Sequence, residues 1–503
     1  MKKRIVYIVS YFLLLLTLFV CQKPFFMLYN DAAEKGALFS DFFRVMGNGI
    51  SLDATTAGYL TALPFLMVLI SIWVKKFPLR KILLPYYIIA SLLVAVVFVV
   101  DMGLYPFWGF KLDASIFLYL DSPKEAMASV SFGFILLRVV AMLMLTTFYV
   151  WLMCKVTPHQ LEVTAKRIGG TLGMLFLGGI LFIIIRGGVT ESTSNVGQVY
   201  FSNNQFLNHS AVNPCFSLLS SMGKSKDFAS EFNFFEEEKR AKLVEGLYPT
   251  SDGDSLKQVL TTNRPNVLLI LMEGFGGAFI EPLGGLLDVA PNLNRLSEEG
   301  IFFTHCYANS FRTDRGTVCA LSGYLGLPTV SVMKIPTKSR TLPAISEELV
   351  KAGYQTDFLY GGDINFTNMK SYLLSKGYQH LTADTDFSLA ERNSNVWGVN
   401  DDITSEWLLN HLKQRSDKET PWFTTYLTLS SHEPFDVPYS RLEEKIPNAF
   451  AYTDECLGKL IEGLKQTPLW KDLLIVCIPD HGFCYPQGTT DRGGEFSHIP
   501  MLW

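Results

Sequence analysis

This sequence of 503 residues has few charged side chains and no cysteine motif. Charged residues make up only 18% of the chain and the formal net charge is −4, so a nucleic-acid partner is not expected. The eight cysteines include no C-x-x-C pair and no zinc-ribbon spacing, which leaves both a zinc ribbon and a disulfide framework without support. No internal repeat with a period of about 20 to 50 residues is visible, which argues against a repeat array.

Apolar residues are concentrated in the first part of the chain. Five stretches there come close to the roughly 20 apolar residues that a helix needs to cross a bilayer. They cover about residues 5–21, 56–74, 82–100, 130–154 and 168–186. The first stretch is followed by Gln22-Lys-Pro rather than by the small residues of a cleavage site, so we interpret it as an anchor and not as a signal peptide. We predict a five-helix transmembrane domain over residues 1–187.

The basic residues around these stretches predict their orientation. Lys and Arg cluster at residues 2–4, 75–81 and 155–167, whereas the loops 22–55 and 101–129 carry few of them. Because Lys and Arg of short loops tend to stay in the cytoplasm, the three basic clusters are predicted to lie inside. An odd number of spans then places the rest of the chain outside the membrane.

The remainder of the chain is predicted to form a connector and an α/β domain. Residues 188–263 are mostly polar and predict a partly helical extracytoplasmic connector. From residue 264 to 503, short apolar runs alternate with amphipathic segments. The predicted strands are 266–272, 356–360, 422–429 and 473–478, and the predicted helices are 290–299, 342–352, 404–414 and 451–466. This alternation predicts a mainly parallel sheet between helices, with a site beyond the carboxyl ends of its strands.

Residues with metal-binding chemistry follow three of these strands. Glu273 follows the first, His432 follows a middle strand, and Asp480-His481 follows the last. Each alone is more often a cap or a loop residue. Carboxylates brought together are costly unless a cation neutralises them, and two carboxylates with a neutral imidazole suit Mn²⁺, Mg²⁺ or Zn²⁺. Their joint placement therefore predicts a divalent metal site.

The segment 309–328 supplies a candidate nucleophile. Thr313 becomes a good nucleophile if a metal lowers the pKa of its hydroxyl, and the flanking Arg312 and Arg315 are suited to a phosphate or sulfate oxygen. The alternative is a helix N-terminus capped by Thr313 or Asp314, with solvated arginines. The two interpretations are compatible, since the positive end of a helix dipole favours a nucleophile.

As a set, these motifs resemble the lipoteichoic acid synthase family of the alkaline-phosphatase/sulfatase superfamily. The resemblance extends to the five spans and to two outer loops, Gly49-Ile-Ser-Leu-Asp and Asp113-Ala-Ser-Ile-Phe. In the catalytic part it rests on Glu273, Ala290-Pro-Asn-Leu-Asn-Arg-Leu, the Arg-Thr block ending in Gly326-Leu-Pro, Ser431-His-Glu-Pro-Phe, Asp480-His-Gly and His498-Ile-Pro.

The resemblance implies a role for each matching residue. Glu273, Thr313, Asp480 and His481 would surround one metal ion, with Mn²⁺ expected first. Thr313 would carry the covalent intermediate, in preference to Thr317, whose spacing to the Gly326-Leu-Pro turn is too short. His432 would contact the substrate phosphate or assist proton transfer, and His498 would lie nearby. A multi-pass protein of the bacterial plasma membrane is implied.

The sequence departs from that family at two places. The family has a Trp and an Arg that hold glycerol phosphate, whereas this chain offers Phe366 and Lys370 in the segment after residue 360. The sequence also stops at Trp503, directly after His498-Ile-Pro, where the family continues with further strands and a helix. We therefore expect a chain truncated at its C-terminus.

Several functions remain in competition. The leading hypothesis is a phosphotransferase that moves a phosphoglycerol-like head group from a phosphatidylglycerol-like lipid, through Thr313, to an envelope glycan or lipid acceptor. The alternatives are a sulfuric or phosphoric ester hydrolase, although no C/S-x-P-x-R motif surrounds Thr313, and a phosphoethanolamine transferase. A non-catalytic transporter or sensor is a remote alternative suggested by Arg138 in the fourth span. The run Gly274-Phe-Gly-Gly lacks full G-x-G-x-x-G spacing and predicts no dinucleotide site.

Overall fold

The computed structural model describes residues 1–114, 116–117, 132–222, 233–247, 259–415, 420–483, 485–486 and 494–503. Some features singled out in the sequence lie outside the described residues. These are Ser115, residues 118–131 with the start of the fourth predicted span, residues 223–232 and 248–258 of the predicted connector, and Cys484.

Five long helices form the N-terminal part of the described chain. They are α1 (Lys2–Tyr29), α2 (Phe39–Ile70), α3 (Leu79–Trp108), α4 (Phe132–Val156) and α5 (Arg167–Arg186). Each is long and apolar enough to cross a membrane, in agreement with the predicted spans. Helix α1 packs on α2, α3 on α4, and α2 on α5. A two-residue antiparallel pair, Lys76–Phe77 with Leu161–Glu162, joins two of the loops.

Helix α2 begins at Phe39, well before the predicted start near residue 56. Asp41 Oδ2 accepts a hydrogen bond of 2.9 Å from the Leu38 N–H, which satisfies a donor at the start of the helix. The segment Gly49-Ile-Ser-Leu-Asp, expected in an outer loop, therefore lies inside α2. Hydropathy missed this part because its polar residues interrupt the apolar run.

A buried ion pair joins α1, α2 and the connector. Lys23 Nζ lies 3.0 Å from Asp53 Oδ1 and also donates to the Ala211 carbonyl at 2.9 Å. Asn213 Nδ2 donates to the same Asp53 oxygen at 2.9 Å. Gly49 makes room for this arrangement, because a Cβ there would lie 2.3 Å from Lys23 Cε. The two buried charges compensate each other, and their hydrogen bonds tie the connector to the membrane helices.

The connector is helical in part, with α6 (Gln205–Ala211), α7 (Pro214–Met222) and α8 (Glu237–Leu247). Its aromatic residues share a buried cluster with the membrane helices, in which Phe26, Phe98 and Tyr105 pack with Phe206. Arg138, near the start of α4, donates to the Phe134 carbonyl at 3.2 Å and contacts the Tyr29 hydroxyl at the end of α1. Its charge therefore lies near the helix ends. The boundaries at 187 and 263 stay a prediction.

The C-terminal part contains a seven-stranded sheet. Its strands are β1 (Asn266–Met272), β2 (Phe302–Phe303), β3 (Gln355–Tyr360), β4 (His380–Thr382), β5 (Trp422–Leu427), β6 (Leu473–Pro479) and β7 (Met501–Leu502). The spatial order is β2-β7-β6-β1-β5-β3-β4. Neighbours from β6 to β4 are parallel, and β7 is antiparallel to both β6 and β2. The predicted mainly parallel sheet is confirmed.

Helices cover both faces of the sheet. They are α9 (Pro291–Glu299), α10 (Thr313–Ser322), α11 (Ile345–Lys351), α12 (Met369–Ser375), α13 (Asp401–Lys413) and α14 (Lys445–Lys465). Shorter turns of helix lie at Val196–Val199, Gly277–Phe279, Glu281–Leu283, Val332–Lys334, Pro336–Ser339, Phe366–Asn368, Asp384–Asp386, Leu389–Arg392, Pro468–Asp472 and Gly494–Ser497. One buried cluster contains Leu268, Ile270 and Phe450, and another contains Leu269, Leu271 and Phe358. Alternate residues of β1 thus serve opposite faces.

Strand β5 ends at Leu427, two residues before the predicted end. The backbone N–H groups of Leu429 and Ser430 donate to the buried Asp401 carboxylate, at 2.8 Å and 3.0 Å. Because these donors are used by a side chain at the start of α13, the chain leaves the sheet at this point. Asp401 thereby sets the path of the loop that leads to His432.

Candidate active site

The register of the sheet brings Glu273 and Asp480 together. Met272 lies opposite Pro479 in the β1–β6 pair, and Leu271 lies opposite Leu427 in the β1–β5 pair. The next residue of the chain after β1, Glu273, therefore leaves the sheet between Asp480 on one side and Thr428 on the other. This is the carboxyl edge of the parallel strands, where the sequence predicts the site.

Hydrogen bonds to its backbone fix the position of Glu273. Its N–H donates to Thr428 Oγ1 at 2.9 Å, and its carbonyl accepts from Ser431 Oγ at 2.7 Å. Only 5% of the residue is exposed. The backbone of Glu273 is thus held by the segment that follows β5.

Asp480 uses one carboxylate oxygen and leaves the other unpaired. Oδ1 accepts from the backbone N–H of Gly274 at 3.0 Å and from that of His481 at 2.9 Å. Oδ2 is buried and has no hydrogen-bond partner among the described residues. Gly274 makes the first contact possible by adopting φ +58°, a conformation that favours glycine. A buried oxygen without a partner calls for a cation or a donor from outside the chain.

His481 completes a set of three metal-ligating side chains. Its Nδ1 lies 2.7 Å from the Gly482 carbonyl, and since a carbonyl only accepts, Nδ1 carries a proton. Nε2 faces Glu273 Oε1 at 3.4 Å and Asp480 Oδ2 at 3.5 Å. One ligand atom from each residue lies within 4.8 Å of the others. The fixed tautomer, the orphaned oxygen and the donor set fit a divalent cation.

The electrostatics of this triad also require a positive charge. Burial, and next the charge of Glu273, raise the pKa of Asp480. Burial alone would raise the pKa of Glu273, but the hydrogen bond and charge of His481 lower it below its usual value. Burial works to lower the pKa of His481, yet Asp480 and Glu273 outweigh it and raise that pKa. Two buried carboxylates are therefore stabilised only beside a proton on His481 or a cation in its place.

Thr313 is the first residue of α10 and reaches the same carboxylate. Its Oγ1 donates to Glu273 Oε2 at 3.0 Å. The helix comes this close because Gly316 packs against the end of β6, where a Cβ would lie 2.0 Å from the Asp480 carbonyl. The N-cap residue is Arg312, and it makes no side-chain cap. The alternative in which Thr313 or Asp314 caps the helix is wrong, whereas the predicted helix N-terminus is present.

Thr317 lies elsewhere on the same helix. It is completely buried, and its Oγ1 has no hydrogen-bond partner among the described residues. Thr313, in contrast, is half-buried beside Glu273. The geometry therefore agrees with the choice of Thr313, whose covalent role stays a prediction.

The two arginines of the segment have different surroundings. Arg312 is exposed at the N-terminus of α10, and its side chain does not cap the helix. The guanidinium of Arg315 lies over the Phe311 ring, 4.6 Å from its centroid. Its Nε and Nη1 are buried and have no hydrogen-bond partner among the described residues. Arg315 therefore keeps two unused donors in the first turn of the helix that begins at Thr313, and its role in binding a phosphate stays a prediction.

His432 lies in a small aromatic group that the sequence did not reveal. Its Nδ1 donates to the Glu433 carbonyl at 2.7 Å, which leaves a lone pair on Nε2. The Trp397 ring lies 4.7 Å from the His432 ring, and its Nε1 donates to the same carbonyl at 2.6 Å. Phe366 packs 5.9 Å from Trp397. Trp397 was missed because it belongs to no motif; a lone Trp in a polar loop is the only signal it gives.

His498 and Lys370 are placed less centrally. His498 Nε2 donates to the Thr304 carbonyl at 2.8 Å, its ring stacks 5.1 Å from Tyr307, and its carbonyl accepts from the Gly277 N–H at 2.8 Å. It supports the loop after β1. Burial lowers the pKa of Lys370, while the charges of nearby carboxylates oppose the shift.

Residues 265–502 match the protein-family model described as Sulfatase. Lipoteichoic acid synthase from Staphylococcus aureus (strain USA300) is 24% identical over 237 residues, which are 43% of this chain and 36% of that protein. The match thus spans about a third of the relative's length.

Solved structures give three further similarities. An alkaline phosphatase superfamily protein from Vibrio parahaemolyticus is 27% identical with a TM-score of 0.47, over 53% of this chain and 68% of that one. The lipoteichoic acid synthase LtaP from Listeria monocytogenes is 16% identical with a TM-score of 0.44, over 47% and 64%. The periplasmic domain of EcEptC from Escherichia coli, in complex with Zn, is 17% identical with a TM-score of 0.36, over 48% and 73%. The match to the Sulfatase family model thus covers the part of the chain that contains the parallel sheet described above, which is just under half of the 503 residues.

Proposed function

We propose that this protein is a metal-dependent phosphotransferase that carries a phosphoglycerol-like head group on Thr313. The observation that supports this most directly is the 3.0 Å hydrogen bond from Thr313 Oγ1 to Glu273, at the edge of a Glu-Asp-His triad. The relative from S. aureus is named a lipoteichoic acid synthase. A membrane lipid such as phosphatidylglycerol is the proposed donor, and an envelope glycan or lipid is the proposed acceptor.

Glu273, Asp480 and His481, with Thr313 Oγ1, are the groups that would hold the cation, Mn²⁺ in the first place and Mg²⁺ or Zn²⁺ as alternatives. A bound divalent cation lowers the pKa of a coordinated hydroxyl and offsets phosphate charge. Glu273 orients the Thr313 hydroxyl, and the N-terminus of α10 adds a favourable field for an anion. Arg315 supplies unused N–H donors to the phosphate oxygens.

In the first step, Thr313 Oγ1 forms a bond to phosphorus, and the bond from phosphorus to the diacylglycerol oxygen breaks. Since Glu273 would hold the cation, the hydroxyl proton passes to solvent water, and the departing diacylglycerol oxygen takes up a proton from water. In the second step an acceptor hydroxyl attacks the same phosphorus and the Thr313 ester bond breaks, so that Thr313 regains a proton. His432 Nε2 is the proposed base for the acceptor, because its Nδ1 proton is held by the Glu433 carbonyl.

The membrane helices fit a lipid donor. Five apolar helices keep the domain beside a bilayer, and the basic residues at 2–4, 75–81 and 155–167 favour an extracytoplasmic position of the domain in a bacterial plasma membrane. The donor head group then lies on the same side as the proposed site.

The test uses the full chain in liposomes that contain phosphatidylglycerol with a radiolabelled head group. We expect a labelled protein adduct, located on Thr313 by mass spectrometry, and no adduct in Thr313→Ala. The exposed Thr385→Ala provides a matched control that keeps the label. In parallel liposomes that also contain phosphatidylethanolamine, the mass of the adduct distinguishes glycerol phosphate from phosphoethanolamine. Undiminished labelling of an acceptor by Thr313→Ala would refute the proposal.

A hydrolase is the second candidate, favoured by the match to the family described as Sulfatase. Water would replace the acceptor hydroxyl in the second step, with the same base at His432. Release of free glycerol phosphate in the liposome assay, or of inorganic sulfate from an aryl sulfate, would favour this reaction over transfer.

A further inference from the structure

A cavity separate from the Glu273 site lies where the membrane helices, the connector and the sheet domain meet. Its volume is about 770 Å³, within the range of roughly 300–1,000 Å³ that is common for ligand sites. None of the residues of the Glu273 centre lines it. Polar groups that matter for its chemistry come from all three parts of the chain, namely Lys111, His209, Ser221, Lys334 and Arg340.

Arg340 extends from the sheet domain to the end of α3. Its Nη1 donates to the Gly109 carbonyl at 3.0 Å and its Nη2 to the Trp108 carbonyl at 3.3 Å. Its Nε is buried and has no hydrogen-bond partner among the described residues. Both acceptors are neutral carbonyls, so they orient the guanidinium without cancelling its charge.

The charge of Arg340 contributes to a shift in the pKa of His209, which also lines the cavity. Burial, and next the charges of Lys111 and Arg340, lower the pKa of His209 to about 3. The neutral ring is held by Tyr105, whose hydroxyl lies 3.0 Å from Nδ1. Lys111 itself is paired with Asp101, and Asp113 of the lining is engaged in an interaction of its own. Burial disfavours a charge of either sign, so only the contributions of Lys111 and Arg340 indicate a positive potential that favours an anion.

The remaining lining matches an amphipathic phosphate ester. Ser217, Ser220 and Ser375 line the cavity with hydroxyl groups, of which those of Ser220 and Ser375 donate to helix carbonyls. Phe110 and Ile335 supply apolar surface. Guanidinium, ammonium and hydroxyl groups are the donors that proteins use for phosphate oxygens. Basic pockets between membrane helices are typical sites for lipid head groups.

We propose that this junction cavity binds the phosphate group of a glycerophosphate ester, carried either by an anionic membrane lipid or by a free glycerophosphate. The inference does not depend on the reaction proposed for Thr313. One ion pair links the cavity to the Thr313 site. Lys334 lines the cavity, and its Nζ lies 3.0 Å from Oδ2 of Asp314, the residue after Thr313 in the chain.

Binding can be measured by equilibrium dialysis of the full chain in amphipol, after EDTA treatment. Glu273→Gln serves as the background, so that the metal centre does not contribute. The probes are dihexanoyl-phosphatidylglycerol, dihexanoyl-phosphatidylcholine and glycerol 3-phosphate. We expect the phosphatidylglycerol probe to bind more tightly than the phosphatidylcholine probe. Displacement of this lipid by glycerol 3-phosphate identifies a site for free phosphate esters, and retention of the lipid alone identifies a head-group site; both support the proposal.

Variants then assign the binding to the cavity. Arg340→Gln removes a charge-assisted contact and is expected to weaken binding about tenfold or more, whereas Arg340→Lys keeps the charge and most of the affinity. Thr337→Trp fills the cavity without removing a charge and should block binding with an unchanged melting temperature. The exposed Arg295→Gln is the matched control. Unchanged affinity in Arg340→Gln and Thr337→Trp, or no binding in the Glu273→Gln background, would overturn the inference.

Discussion

The hydroxyl of Thr313 lies 3.0 Å from Glu273 Oε2, although the two residues are separated by 40 positions in the chain. The contact joins the N-terminus of helix α10 to the end of strand β1. It depends on Gly316, which lets the helix approach the Asp480 backbone. A nucleophile candidate and a metal-ligand candidate thus share one hydrogen bond, and the contribution of each can be measured separately.

The first prediction concerns metal content. The full chain dialysed against EDTA and then supplied with Mn²⁺ should retain the ion, and Asp480→Asn should weaken retention at least about tenfold, because the orphaned oxygen loses its charge. Inductively coupled plasma mass spectrometry measures the bound ion. Asp288→Asn, on an exposed aspartate, serves as the control. Equal metal in wild type and Asp480→Asn would argue against the predicted site.

The second prediction concerns the packing of α10. In Gly316→Ala the added Cβ would lie 2.0 Å from the Asp480 carbonyl oxygen, so the helix must move away. We expect a loss of stability of about 1–3 kcal/mol and a fall in formation of the Thr313 adduct. Gly494→Ala, whose Cβ would meet no atom within 4 Å, is the control. Thermal unfolding and the labelling assay check both effects. Normal labelling in a stably folded Gly316→Ala would show that this close approach is dispensable.

The third prediction concerns Asp401. Its carboxylate accepts from the backbone of Leu429 and Ser430 and from Thr453 Oγ1 at 2.9 Å. Asp401→Asn presents an amide N–H₂ to some of these donors and should cost roughly 1–3 kcal/mol of stability. The loop to His432 should loosen, so the second step should slow more than the first. Single-turnover kinetics separates the steps, with the exposed Asp402→Asn as control; equal slowing of both steps would contradict this assignment.

The fourth prediction concerns Trp397. Its ring packs beside His432, the proposed base, and beside Phe366, which the sequence offers in place of a family contact to glycerol phosphate, so we expect it to contact the head group. Trp397→Ala should raise KM about tenfold through lost apolar contact, while Trp397→Phe should retain most of the affinity. Trp470→Ala, on a partly exposed tryptophan, controls for general destabilisation. An unchanged KM in Trp397→Ala would place the head group elsewhere.

Local patterns in the sequence were sufficient to predict four neighbouring strands of the sheet (β6, β1, β5 and β3) and the triad at their carboxyl ends, whereas the short strands β2, β4 and β7 were missed. Strands β1 and β6 are uninterrupted apolar runs, and parallel pairing forces the residues after them, Glu273 and Asp480, to one edge. That inference needs only the length of the apolar runs and the chemistry of the side chains at their carboxyl ends. The choice of Thr313 over Thr317 came from the family spacing to the Gly326-Leu-Pro turn, and the geometry agrees with it, since Thr313 lies at the helix N-terminus beside Glu273.

Other features depend on contacts between distant segments, which no local pattern encodes. Trp397 is next to His432 only because the loop before α13 folds back across the strand ends. Helix α2 extends through Gly49 and Asp53 because Lys23 and Asn213 compensate a buried carboxylate. Arg340 belongs to no sequence motif, yet its side chain contacts the carbonyl of Gly109 at the end of α3.

The contacts that join the connector, the membrane helices and the sheet domain also fix the distance between the sheet domain and the membrane helices. Lys23 holds the Ala211 carbonyl, Asn195 Nδ2 donates to the Asn365 carbonyl at 2.9 Å, and Arg340 joins the end of α3. A domain held at so many points cannot swing freely away from the membrane helices. The edge that carries Thr313 therefore stays at one distance from the membrane helices, so the proposed acceptor has to reach this edge by its own diffusion.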